Sequence, residues 1–326
     1  MMDLRLHILS AALLSLLLTV VAGRLLLPVL YKRRAAQPIL EIGPAWHLSK
    51  KGTPTLGGLF FIIGVSATLL LYAAVTGGDT AASLCLLLAF ALLSGAIGLL
   101  DDICKLTKRE NQGLSAAQKY FLQLFVAALF LLIARMRGIV DTSIALPLVQ
   151  SPVSLGVLYY PLMLLYLTGL ENALNLTDGL DGLLGTTAAV MGACFILLGL
   201  LTGAQLLLVT GAALLGGMLG FLVFNHHPAK VFMGDTGSLF LGALVAGAGL
   251  LVRLPATVLL AGGVFVFEAA TVMLQVGYFK LTHGKRLFLM APYHHTLEKR
   301  GLSENTVVLV FGLAALLLAA LALLSL

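Results

Sequence analysis

Charge is what this sequence has least of. Of its 326 residues only 10% are charged, against 60% hydrophobic. A soluble domain carries roughly 25% charged residues and about 45–50% apolar ones, so a water-soluble globule is excluded. Cysteine is scarce too. Cys85, Cys104 and Cys194 are odd in number and unpatterned, which excludes a disulfide scaffold. Internal repeats, low-complexity tracts and a soluble extra domain are missing, and the chain reads as one membrane domain over residues 1–326. The formal net charge of +6 comes from Lys and Arg in short loops between apolar runs. That is a pattern of membrane topology rather than of nucleic-acid binding.

What the chain does have is apolar length. A helix needs about 20 mostly apolar residues to cross a bilayer. Ten such runs are legible, near 8–30, 55–76, 81–100, 120–134, 152–169, 182–201, 204–224, 238–252, 256–279 and 305–325. An all-α polytopic membrane protein is therefore expected. The first run is too long for a signal-peptide core, lacks a small-residue cleavage site, and is expected to remain as an anchor. Gly211, Gly216, Gly217 and Gly220 fall in one run, where ordinary small-residue packing is expected. One set of loops holds most of the basic residues, among them Lys32, Arg33, Lys50, Lys51, Lys105, Lys119, Lys230, Lys280 and Lys299. The positive-inside rule places these loops in the cytoplasm. Ten spans then leave both termini extracytoplasmic.

The same loops collect the titratable chemistry. Asp101, Asp102, Asp178, Asp181 and Asp235 all lie in or beside them, as do six of the seven histidines. Only Glu268 sits well inside a run. It is the main support for a secondary transporter, which usually places its ionisable groups near mid-bilayer.

Four segments stand out. The first, Lys50-Lys51-Gly52-Thr53-Pro54-Thr55-Leu56-Gly57-Gly58, is not a Walker loop. It reads as a helix start, with Thr53 as cap and Pro54 at the first helical position. Free N–H groups there, with two lysines, suit phosphate. The second ends an apolar run with Asp101-Asp102 and continues to Lys105. Adjacent helical residues point apart, so one aspartate is expected at a ligand and the other in structure. In the third, Asn172, Asn175, Asp178 and Asp181 recur every three residues, and Gly179 and Gly182 permit a break. The fourth, Phe232-Met233-Gly234-Asp235-Thr236-Gly237-Ser238, sets one carboxylate between glycines that allow close backbone approach to a ligand. Later, Met290-Ala291-Pro292-Tyr293-His294-His295 offers two histidines but no third ligand at zinc spacing. Oxygen ligands dominate, so Mg²⁺ or Mn²⁺ is expected rather than zinc. With lysines and glycines nearby, phosphoryl chemistry at a membrane surface follows.

In this order the segments resemble the polyprenyl-phosphate N-acetylhexosamine-1-phosphate transferase superfamily. Two features are similar to its phospho-N-acetylmuramoyl-pentapeptide transferase branch. One is Gly43-Pro44 leading through His47 to Gly52-Thr53-Pro54-Thr55-Leu56-Gly57-Gly58, and the other is Met290 to His295. The resemblance covers about residues 37–304.

It implies ten transmembrane helices and a homodimer in the bacterial cytoplasmic membrane, with the site facing the cytoplasm. The implied reaction joins UDP-MurNAc-pentapeptide and undecaprenyl phosphate to give lipid I and UMP, with Mg²⁺ held by Asp235. By the same resemblance Asp101 and Asp102 act at the lipid phosphate, and Lys105 and Lys119 contact phosphate. Asn172, Asn175, Asp178 and Asp181 shape the nucleotide pocket, and Phe232 stacks on uracil beside Gly234. Lys50 or Lys51, Gln275, His294 and His295 complete the set. The sequence departs from the family at Thr296, where a third consecutive histidine is usual, and mildly at Leu56, where Met is common. A related transferase using UDP-GlcNAc stays open as an alternative. So do two mechanisms, direct attack by the lipid phosphate and attack by an aspartate through a covalent phospho-sugar.

Overall fold

The computed structural model describes residues 4–33, 52–108, 113–149 and 151–326. Its helices are α1 (Leu4–Lys32), α2 (Gly58–Thr76), α3 (Gly78–Lys108), α4 (Ala116–Met136), α5 (Tyr159–Thr177), α6 (Leu183–Thr202) and α7 (Gln205–Asn225). They continue with α8 (Gly234–Leu251), α9 (Pro255–Ala261), α10 (Gly263–Leu281), α11 (Tyr293–Lys299) and α12 (Glu304–Leu324). Between α4 and α5 a small antiparallel hairpin pairs β1 (Ser143–Ile144) with β2 (Val153–Ser154).

Among the described residues nine helices are long and apolar enough to cross a membrane: α1 to α4, α6 to α8, α10 and α12. The tenth expected run corresponds to α5. It starts at Tyr159 rather than near 152, because residues 153–158 form β2 and a 3₁₀ turn. Its 19 residues equal the length of α2 and α10, but Glu171, Asn172 and Asn175 make it more polar than the nine. Those residues stay helical because each finds a partner inside the bundle. Ser94 donates to Glu171 (3.0 Å), Asn172 donates to Gln123 (3.1 Å) and Asn175 to Ser238 (2.8 Å). The expected run at 256–279 is also corrected: Gly262 divides it into α9 and α10.

α8 is the axis of the bundle. Every residue from Thr236 to Leu251 is buried, with α3 on one side and α5 on another. Gly98 lets α3 come this close, since a Cβ there would stand 2.1 Å from the carbonyl oxygen of Asp235. Length then matters. At 31 residues, α3 extends about 46 Å, well beyond the roughly 30 Å hydrocarbon core. Its last turns, with Asp101, Asp102 and Lys105, therefore continue past the apolar run beside the first turn of α8. The glycines of α7 meet α1 and α6 within the chain. Gly216 lies against the Ala12 carbonyl and Gly211 against that of Gly192, the small-residue packing expected.

The expected helix start at Thr53 and Pro54 is not found. α2 begins at Gly58, and Gly57 caps it without a side-chain hydrogen bond. Residues 54–58 instead run beside the chain before α8. Phe232 N–H donates to the Pro54 carbonyl (2.8 Å), Gly57 N–H to Phe232 (2.9 Å) and Gly58 N–H to Met233 (2.9 Å). These backbone bonds outcompete an earlier helical turn.

Candidate active site

Four helix ends meet around Asp235, in the first turn of α8. Its Oδ2 accepts from Lys119 Nζ at 2.7 Å and from Lys105 Nζ at 3.0 Å. Its Oδ1 accepts from Asn175 Nδ2 at 2.9 Å. Lys119 is aimed by the start of α4. There Ser115 Oγ accepts from Gln118 N–H (3.2 Å) and Gln118 Oε1 accepts from Ser115 N–H (3.0 Å). This reciprocal cap sets where the first turn of α4 begins. Lys105 lies one turn beyond Asp101 on α3 and pairs with its Oδ2 at 2.7 Å.

The adjacent aspartates divide as their helical positions require. Asp101, facing Lys105, also accepts from Leu114 N–H at 2.8 Å. Asp102 is fully buried and caps α8. It accepts from Asp235 N–H (3.2 Å), Thr236 N–H (3.0 Å) and the Thr236 hydroxyl (2.7 Å). Asp178 adds a hydrogen bond from Gly234 N–H. Carboxylates thus satisfy donors that a helix start leaves open, where the macrodipole favours negative charge. Asp102, expected at the lipid phosphate, is in the structure a cap of α8.

Asn172 and Asn175 part company. Asn175 joins Asp235. Asn172 turns to Gln123 and to the Thr168 carbonyl (2.8 Å), away from that cluster. Beyond Thr177 the chain leaves the helix, so Asp178 and Asp181 sit in the turn before α6. Burial first, then the nearby carboxylates of Asp235 and Asp102, push the Asp178 pKa up to about 8. Asp181 accepts from Ala229 N–H (3.0 Å) and pairs with His227 Nδ1 (3.0 Å). It borders a cavity of about 560 Å³ with Thr53, His227, Ser303 and Glu304. Asp181, His227 and Glu304 bring ligand atoms within 4.8 Å of one another. Sequence spacing did not show this cluster, because α12 supplies the third member.

The remaining expected residues lie farther out. Phe232 is half-buried and its backbone pairs with residues 54–57. Gln275 accepts from Leu287 N–H (3.0 Å) and Phe288 N–H (2.8 Å). It pins the loop after α10. His294 is fully buried against Glu268. His295 pairs with Glu298 at 2.8 Å. Thr296 is buried, donates to the Met290 carbonyl and accepts from Met290 N–H (3.1 Å). Where a third histidine is usual, a hydroxyl closes the loop. Lys50 and Lys51 lie outside the described residues.

The donor set suits a hard divalent cation. Asp101, Asp102, Asp178 and Asp235 bring carboxylate oxygens to one helix end, the ligand type such an ion takes. Beside this polar end runs an apolar groove of about 800 Å³, lined by Tyr120, Leu162, Tyr166, Gly169, Asn172 and Met273 among others. Tyr120 of this lining follows Lys119 in α4, and Asn172 lies one turn before Asn175 in α5.

Residues 84–253 match the family model described as glycosyl transferase family 4. Three curated relatives carry the name phospho-N-acetylmuramoyl-pentapeptide-transferase. The one from Clostridium botulinum (strain Alaska E43 / Type E3) is 41% identical over 313 residues, 95% of this chain and 94% of its own. That from Geobacillus kaustophilus is 42% identical over 306 residues, covering 94% and 93%. That from Listeria monocytogenes serotype 4b (strain CLIP80459) is 41% identical over 297 residues, 91% of each.

Proposed function

Since the chain belongs to glycosyl transferase family 4, and within it to the phospho-N-acetylmuramoyl-pentapeptide transferases of peptidoglycan synthesis, we propose that it moves phospho-MurNAc-pentapeptide from UDP-MurNAc-pentapeptide to undecaprenyl phosphate. The products are lipid I and UMP. The observation that carries this reading is the convergence of Lys105, Lys119 and Asn175 on Asp235, in a molecule that also holds an apolar groove between α5 and α10. The groove suits an isoprenoid chain, and the lysines beside it suit that chain's phosphate. The cavity beside Asp181 and His227 suits the nucleotide.

Asp235 would hold Mg²⁺, with the carboxylates of Asp101, Asp102 and Asp178 around it. When bound, such an ion would supply charge neutralisation for the phosphates. Lys105 and Lys119 give up part of their hold on Asp235 and bind the incoming phosphates. This lets two anions approach. An oxygen of the lipid phosphate attacks the phosphorus that bears the sugar, and the bond from that phosphorus to the UMP oxygen breaks. A phosphate monoester has a second pKa of about 6, so the nucleophile is already a dianion at neutral pH and loses no proton. Asp101 orients it through Lys105. The site faces the cytoplasm, where the nucleotide substrate is made.

The test is UMP release by the purified protein with undecaprenyl phosphate and either UDP-MurNAc-pentapeptide or UDP-GlcNAc, with Mg²⁺ withheld and restored. Turnover with the muramoyl donor only, dependent on Mg²⁺, is expected. Turnover only with UDP-GlcNAc moves the chain to the alternative transferase. Substrate-dependent flux in proteoliposomes without Mg²⁺-dependent UMP release would instead support the transporter reading.

A further inference from the structure

Glu268 is a fully buried carboxylate on α10 to which the transfer scheme assigns no part. Both of its oxygens face one residue. Oε1 accepts from the backbone N–H of His294 and Oε2 lies against its Nδ1, each at 3.2 Å. A backbone N–H can only donate, and an ionised carboxylate can only accept. With Glu268 ionised, the pair sets a proton on Nδ1.

The other ring nitrogen points elsewhere. His294 Nε2 is buried and has no hydrogen-bond partner among the described residues. It is aimed at Gly179, where a Cβ would stand 2.2 Å from it. Only glycine leaves that approach open. Gly179 lies in the turn between Asp178 and Asp181, and Asp178 in turn accepts from the N–H preceding Asp235.

We infer that Glu268 is the positioning residue for His294. It fixes the ring and its proton at Nδ1, so that Nε2 alone exchanges a hydrogen bond or a proton with the substrate at the Asp178–Asp181 turn. The catalytic consequence rests on the proposed phosphoryl transfer, whereas the tautomer does not. Glu268→Gln separates shape from chemistry. Its amide oxygen must accept the His294 backbone N–H, so its NH₂ faces Nδ1. That demands a lone pair on Nδ1 and moves the proton to Nε2, with almost no change in volume.

The experiment uses full-length protein in lipid nanodiscs. UMP release is measured for the parent, Glu268→Gln, His294→Ala and the double variant. Glu268→Gln is expected to lower kcat by about 10- to 100-fold, the usual cost of losing a group that orients a functional histidine, with KM for the UDP-substrate little changed. The double variant is expected to be no slower than His294→Ala alone. Unchanged kcat in Glu268→Gln, or losses that multiply in the double variant, overturn the inference. ¹⁵N spectra of ring-labelled protein, with His294 assigned by difference from His294→Ala, supply a second readout. A protonated Nδ1 is expected in the parent and a protonated Nε2 in Glu268→Gln. A parent with a bare Nδ1 overturns the inference whatever the activity, and this still decides if Glu268→Gln fails to fold. A parent that releases no UMP defeats the functional reading and leaves the ring measurement to judge Glu268.

Discussion

The two ends of the helix bundle use the same ion-pair chemistry to different effect. At one end Asp235 meets Lys105 and Lys119, with the carboxylate and Lys119 only 17% and 15% exposed. At the other, Arg253 reaches Asp141 at 2.9 Å, with side chains 48% and 43% exposed. Water screens the second pair and is mostly kept from the first. A buried ion left without its partner is costly, whereas an exposed pair contributes about 0–1 kcal/mol. The buried end therefore has charges tightly coupled across three helices. The exposed end has a surface latch between the turns that follow α4 and α8.

Removing the central carboxylate breaks the comparison most sharply. Asp235→Asn is expected to cut UMP release by about 10³-fold, the scale seen when charge stabilisation is removed from a phosphoryl or acyl transfer site. Turnover near the parent's would take Asp235 out of the site. Asp102→Ala comes next. It strips the cap from three donors at the start of α8 and is expected to cost about 2–4 kcal/mol of stability. Melting in detergent should show a larger loss than for Asp101→Ala; equal losses would deny the division of labour between the neighbours. Thr296→His places an imidazole at a buried site and removes both hydrogen bonds to Met290. A loss of about 1–3 kcal/mol is expected, and an unchanged melting temperature would show that the loop does not need this closure.

The smallest effect belongs to the exposed latch. Arg253→Ala should shift stability by less than about 1 kcal/mol and leave UMP release unchanged. Hydrogen bonds from the Ser143 hydroxyl and N–H, and then the Arg253 charge, hold the Asp141 pKa below its ordinary value. A depressed carboxylate pKa stabilises the fold above the unfolded value of about 3.9 and loses that contribution as pH falls through the folded one. Melting curves of the parent and Asp141→Ala should therefore converge below about pH 4. A gap that persists or widens there would reject the assignment.

The contrast between the ends also explains what was legible in advance. Apolar runs predict helices well because spanning length is local, and eight of the ten runs appear with shifts of a few residues. The misses have physical causes. Gly262 splits one run, and residues 153–158 fold as a strand and a turn before α5. Asp235, Lys105, Lys119 and Asn175 were all anticipated as site residues, and they meet. Gln275, Asn172 and Asp102 were anticipated too, and the structure gives each a hydrogen-bonded partner on a neighbouring helix or loop. Residue type and spacing show that a polar group needs a partner, but not which partner it finds.

Composition alone determined that this is a bundle of membrane-spanning helices whose polar chemistry lies at one end, because burying apolar length and keeping charge near water are properties of each segment by itself. Tertiary structure alone decided which carboxylate caps α8, which one binds the lysines, and that Glu268 holds His294. Those pairings join residues from 26 to 134 positions apart. They depend on how closely α3 and α5 pack against α8, and on how the loop after α10 returns to the bundle.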